Sequence, residues 1–61
     1  MDDQEMVQYI ARQCAERYGR EAVGVLRGHA DHAATINDPR SAQTWFAIAE
    51  AAERLLSGVG D

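Results

Sequence analysis

The stretch DPRSAQTWFAIAEAAERLL, from Asp38 to Leu56, decides the fold because it holds the chain's single Trp, its single Phe and its clearest helix start. Asp38 can accept hydrogen bonds from the free N–H groups of a first turn, and Pro39 suits a first position that needs no backbone donor. At about 100° per residue, six apolar side chains share one face: Trp45, Ile48, Ala49, Ala52, Leu55 and Leu56. The stretch therefore predicts an amphipathic helix over roughly 39–57, with Trp45 in the core.

Two earlier segments also have helical periodicity. The first covers roughly 3–18, where Asp2 and Glu5 form an acidic variant of the capping box. Its apolar stripe consists of Val7, Ile10, Ala11, Cys14 and Tyr18. The second covers roughly 20–36 and has a narrower stripe. That stripe, expected to face the core, consists of Ala22, Leu26, His29, Ala33 and Ile36.

Gly19 leaves two arrangements open between these segments. Tyr18-Gly19 is typical of a helix end with a left-handed glycine just beyond it. An unbroken helix would instead satisfy two charge pairs spaced i,i+4, of which Glu16 with Arg20 is one. The stripes before and after Gly19 are out of phase by roughly 75°, which favours a break. The alternative is two helices, of which the first is long.

The pair Asn37-Asp38 predicts a short turn that makes the middle and last helices antiparallel. The expected fold is all-α, a short bundle of three helices around this central hairpin, as one domain over residues 1–61 with a frayed tail at 58–61. So short a chain buries only about 60% of the surface that its unfolded form exposes. We therefore expect a homodimer.

Charge and composition exclude several classes of function. The formal charge is −4, with ten acidic residues against six Arg and no Lys, so a nucleic-acid surface is not expected. No apolar run approaches the ~20 residues of a membrane span. Cys14 is the single cysteine, which suits a reducing compartment. The acidic first residues lack the apolar segment of a secretory signal, so a cytoplasmic location is expected.

Aromatic side chains are the candidate interface residues. Trp45, Phe46, Tyr9 and Tyr18 supply more aromatic surface than one hairpin covers, and Phe46 lies about 100° from Trp45 on the flank of the last helix. A second copy or another protein is expected to bind there. No phosphate loop, paired carboxylates or Cys–His arrangement is present, so we expect neither an enzyme nor a cofactor.

His29 and His32 are the candidate metal ligands. Their i,i+3 spacing on one helix lets two imidazoles share a metal ion, and a symmetric dimer could bring four together. Asp31 lies roughly 160° from His29 and cannot complete the same site within its helix. A metal-binding or pH-sensing bundle is therefore the alternative to an interaction module, since imidazole changes charge between pH 5 and 8.

Three features together resemble a loose group of very short, uncharacterised bacterial all-helical proteins. They are the Gly-centred run Tyr18–Ala22, the acidic turn at Asp38, and the helix with Trp45-x-x-Ile48. The resemblance covers about two thirds of the chain. It implies a compact helical domain and no known activity.

Overall fold

Residues 3–58, which the computed structural model describes, form three α-helices. Helix α1 spans Asp3–Tyr18, a 3-10 turn spans Gly19–Glu21, α2 spans Ala22–Thr35, and α3 spans Pro39–Gly58. No strand occurs in this part of the chain. The predicted all-α class is confirmed.

The turn between α2 and α3 supplies hydrogen bonds to the free ends of both helices. Asn37 has a left-handed φ of 63° and its N–H donates to the Ala34 carbonyl at 3.1 Å. The N–H of Asp38 donates to the Ala33 carbonyl at 2.9 Å, and these two bonds together form a Schellman motif at the end of α2. Asp38 then caps α3, because its Oδ1 accepts from the Ser41 N–H at 3.3 Å. The predicted cap is confirmed.

Gly19 ends α1. Its φ of 60° lies in the left-handed region, where a side chain is strained, and the chain continues as a single 3-10 turn before α2 begins. The structure therefore has the predicted break. No ion pair joins Glu16 to Arg20 among the described residues, because the left-handed glycine takes them off a common helical face.

Helix α3 packs against both other helices, whereas α1 and α2 make few direct contacts. Arg27 of α2 pairs with Glu53 of α3, and His29, further along α2, stacks on Trp45, further back along α3. Helices α2 and α3 are therefore antiparallel, which confirms the predicted hairpin. Residues 3–8 of α1 lie beside 43–54 of α3, and residues 12–16 lie beside Leu55 and Leu56, so α1 runs parallel to α3.

Alanine dominates the core. Among the described residues, only two large side chains are fully buried, Leu26 and Ile48. The other buried apolar residues are alanines: Ala11, Ala22, Ala30, Ala33, Ala42, Ala49, Ala51 and Ala52. Six apolar residues pack partly buried against this cluster: Val7, Ile10, Cys14, Val23, Trp45 and Leu55. Small side chains let the helices approach closely but bury little apolar area per residue.

The predicted core face of α2 is partly wrong. Ala30 is buried where His29 was expected, and both His29 and Ile36 are exposed. Helix α2 is rotated so that Ala30 and Ala33 are buried, whereas His29 and Ile36 are exposed. Tyr18 also lies outside the core that its stripe predicted, because the chain turns away at Gly19.

Two predictions concern the chain ends. The tail was expected to begin at residue 58, but Gly58 still belongs to α3. The rest of that tail, at 59–61, and the capping residue Asp2 lie outside the described residues.

Gly19→Ala and Gly28→Ala should change stability in opposite directions. A Cβ at Gly28 meets no atom within 4 Å, and its helical φ suits alanine, so Gly28→Ala should stabilise the fold by about 0.5–1 kcal/mol. A Cβ at Gly19 also has space, yet the left-handed φ should make Gly19→Ala cost about 1–2 kcal/mol. Urea denaturation followed by circular dichroism measures both. A stabilised Gly19→Ala would show that the turn tolerates another backbone conformation.

Ile48→Ala should cost more free energy of unfolding than Trp45→Ala. The sequence places Trp45 at the centre of the core, but its side chain is only partly buried, whereas Ile48 is 1% exposed. Removing a fully buried isoleucine costs about 2–5 kcal/mol, enough to unfold so small a domain. Thermal denaturation of the two variants compares them, and the reverse order would place the centre of the core at Trp45.

Candidate functional site

Within residues 3–58, five large apolar side chains are exposed, which is more than the two that are fully buried. They are Met6, Tyr9, Tyr18, Ile36 and Phe46. Single exposed apolar residues need no explanation, but an excess over the large buried ones does. These residues lie in separate places, and three of them, Met6, Tyr9 and Phe46, each line a shallow depression of the surface. The depressions beside Phe46 and Tyr9 are the candidate surfaces.

The first surface is a shallow groove beside Phe46, at the closed end of the α2–α3 hairpin. Phe46 is 49% exposed and forms one wall of a depression of about 270 Å³. Ala34 at the end of α2 and Ala42 on α3 supply small side chains, and the turn closes one end. The full lining consists of Ala34, Asn37, Asp38, Pro39, Ala42, Gln43 and Phe46. We call this depression the Phe46 groove.

The lining of the Phe46 groove carries one charged residue, an acidic one. Asp38 lines it, and Glu50 follows Phe46 by one turn, about 40° away around α3. Glu53, a further turn along, accepts from Arg27 at 3.4 Å, with both side chains more than half exposed. That pair contributes little stability, and Glu50 lines a separate depression together with Arg54. Arg40 lies about 120° from Phe46 around the helix.

The second surface lies on α1 around Tyr9, which is 58% exposed. A depression beside it is lined by Gln4, Glu5, Gln8, Tyr9 and Arg12. Unlike the Phe46 groove, this surface carries both signs of charge, with Glu5 before the tyrosine and Arg12 after it. We call it the Tyr9 surface.

Trp45 and His29 form a stacked ring pair between α2 and α3. Their ring centroids are 4.6 Å apart and the planes are inclined by 26°. The imidazole covers part of the indole, which is partly buried, while His29 itself stays exposed. Trp45, predicted as an interface residue, is thus partly covered by its own chain, and its role at an interface stays a prediction.

His29 and His32 both lie exposed on α2, so the i,i+3 pair predicted as metal ligands is accessible. Within residues 3–58 no group of three or more His, Cys, Asp or Glu residues comes together to hold a metal ion. A complete site would therefore need donors from outside this part of the chain. The metal site stays a prediction that the structure does not strengthen.

Tyr18 lies at the end of α1, exposed, with the guanidinium carbon of Arg17 5.9 Å from its ring centroid. This contact uses one face of the ring for a cation–π interaction within the chain. Its predicted interface role also stays a prediction.

Sequence reasoning singled out Phe46 and Tyr9, both of which are exposed, but missed the other residues that line the groove. Ala34 and Ala42 give no hydrophobic signal of their own, and Asp38 was interpreted only as a cap. The packing of α2 against α3 brings these residues together. One signal was available in the sequence: Ala34 lies just before the predicted turn, so it is expected to lie near the start of α3.

Comparisons with protein-family models, with curated proteins and with solved structures find no match to this chain. The resemblance to short bacterial helical proteins therefore stays a prediction. Of the helices in residues 3–58, none has the length and apolar character needed to cross a membrane.

His29→Ala should shift the fluorescence emission of Trp45 to longer wavelength, because removing the stacked imidazole exposes the indole to water. His32→Ala is the matched control, one turn away on the same helix and also exposed. Trp45 is the single tryptophan, so emission spectra of the two variants report on it alone. An unchanged spectrum in His29→Ala would show that the rings do not stack in solution.

Proposed function

We propose that this protein is a small helical interaction module that self-associates and also binds a protein partner, without catalytic activity. The Tyr9 surface serves self-association and the Phe46 groove serves the partner. A cytoplasmic location is part of the proposal and rests on the use of one cysteine.

One observation carries the proposal: the part of the chain that the structure describes exposes five large apolar side chains and fully buries two. Burying a large apolar side chain stabilises by about 1.5–3 kcal/mol, so a core built mainly from alanine gains little of this free energy. A domain of this size is marginally stable alone. Association would cover part of the exposed apolar surface and supply the missing burial.

The charges on the Tyr9 surface support pairing between two copies. In a two-fold arrangement each copy meets the same surface of the other. Glu5 and Arg12 lie about one turn on either side of Tyr9 along α1. If two α1 helices cross antiparallel at Tyr9, Glu5 of one copy comes beside Arg12 of the other. The surface is therefore complementary to itself.

Sedimentation velocity at micromolar concentration tests self-association. The unaltered protein should sediment as a dimer, and Tyr9→Ser should raise the dissociation constant at least about tenfold, as the loss of a central aromatic does. Phe46→Ser is the matched control, since it removes an exposed aromatic of the other surface and should leave the dimer intact. A folded monomer at this concentration would overturn self-association.

Charge reversal then tests the arrangement. Glu5→Arg and Arg12→Glu alone should each weaken the dimer, because each places like charges together, and the double variant should recover it. No recovery in the double variant would show that α1 does not pair antiparallel at Tyr9.

A further inference from the structure

We infer that Gly19 is a hinge about which α1 leaves the α2–α3 hairpin, straightens into one helix with α2, and packs on α3 of a second copy. This exchange goes beyond the proposed function, because it uses the inner face of α1 rather than the Tyr9 surface. Three features support it: the backbone at the hinge, the small buried surface of α1, and two charge pairs that span the break. We call the observed arrangement the closed form and the straightened one the open form.

Gly19 sets the direction of α1 through its backbone. Its φ is 60°, and a Cβ added there meets no atom within 4 Å, so the left-handed conformation, rather than lack of space, disfavours a side chain. Glycine adopts a right-handed helical conformation about as readily as a left-handed one. Conversion of the 3-10 turn Gly19–Glu21 to α-helix would join α1 and α2 into one helix over residues 3–35.

Helix α1 is held on the hairpin by little buried surface. Within Asp3–Tyr18 only Ala11 is fully buried, while Val7, Ile10 and Cys14 are partly buried against the core. Shallow depressions lined by residues of both α1 and α3 interrupt the contact between these two helices. The ion pair and the ring stack described above both join α2 to α3 instead. The hairpin therefore keeps those two contacts when α1 leaves.

Two charge pairs can form only in the open form. Glu16 with Arg20 and Arg17 with Glu21 are spaced i,i+4, at which side chains are neighbours on one helix. Among the described residues neither pair forms an ion pair, because the left-handed glycine lies between the partners. A continuous helix brings both pairs together across the hinge. The open form therefore gains contacts that the closed form lacks.

A second copy supplies the helix that opening removes. Departure of α1 uncovers the face of α3 on which it packs, and α1 of another copy fits that face because its sequence is identical. Exchange of an identical element is a low-cost route to dimers, since no new interface has to be built. The chain's own α1 competes at an effective concentration in the millimolar range. The unaltered hinge should therefore stay mainly closed at micromolar concentration.

Alanines of opposite handedness at position 19 test the hinge. Both are introduced by chemical synthesis into a chain that carries Tyr9→Ser, so that pairing through the Tyr9 surface does not contribute. Gly19→Ala disfavours the left-handed φ and favours a helix, so it should lower the dissociation constant of the dimer at least about a hundredfold, because each dimer contains two hinges. D-alanine at the same position favours a positive φ and should keep the chain monomeric. Sedimentation velocity from micromolar to millimolar concentration measures both.

Isotope-filtered NMR on a mixture of labelled and unlabelled copies shows which α1 packs on which α3. Val7 and Ala47 line the same depressions. Nuclear Overhauser contacts between α1 and α3 around these residues should be intermolecular in the Gly19→Ala dimer and intramolecular in the closed monomer.

A charge reversal then tests the open helix. Arg20→Glu should weaken the Gly19→Ala dimer at least about threefold, because it places like charges one turn apart across the hinge, and adding Glu16→Arg should recover it. All of these side chains are exposed in the closed form, and circular dichroism establishes that each chain is folded.

A Gly19→Ala chain that is monomeric or unfolded even at millimolar concentration would overturn the exchange. So would an equally stable dimer with D-alanine, or a dimer whose contacts between α1 and α3 are intramolecular. The exchange is measured without Tyr9, so its failure leaves pairing through the Tyr9 surface standing. Failure of the Tyr9 pairing likewise leaves the hinge standing.

Discussion

Packing of α3 against its neighbours through alanine is the constraint on which the rest of the structure depends. Alanine has the highest helix propensity and the smallest side chain that still adds apolar contact. It therefore lets short helices form and approach closely. The consequence, over residues 3–58, is a core in which only Leu26 and Ile48 are large and fully buried. Larger apolar side chains that find no place between the helices lie on the surface.

The charged residues beside Tyr9 and Phe46 differ, and so do the roles proposed for these two exposed aromatics. Tyr9 has one acidic and one basic neighbour along α1, so its surrounding surface can match itself in a symmetric pair. The groove beside Phe46 is lined by one charged residue, Asp38, so it has no pair of opposite charges with which to match itself. Apolar area alone would not separate these two roles. The distribution of six arginines among ten acidic residues separates them.

The candidate site could be predicted only in part. Phe46 and Tyr9 stand out in the sequence because large aromatic side chains are few and their helical positions can be counted. The groove could not be predicted, since Ala34 and Ala42 belong to different helices and become neighbours only when the hairpin closes. The stacking of His29 on Trp45 could not be predicted for the same reason, because the two residues belong to different helices. A helical wheel describes one helix and contains no information about what covers it.

The sequence by itself determined the helices and the cap at Asp38, and it favoured the break at Gly19 without deciding it. Each depends on residues within about five positions, through backbone hydrogen bonds and the allowed φ of single residues. Tertiary structure alone decided how α2 is rotated, which buries Ala30 and leaves His29 exposed. Neighbouring faces of α2 both carry alanines, so their hydrophobicities differ too little to set the orientation of the helix from its own sequence. The fit between whole helices chooses it, and with it the surfaces left for function.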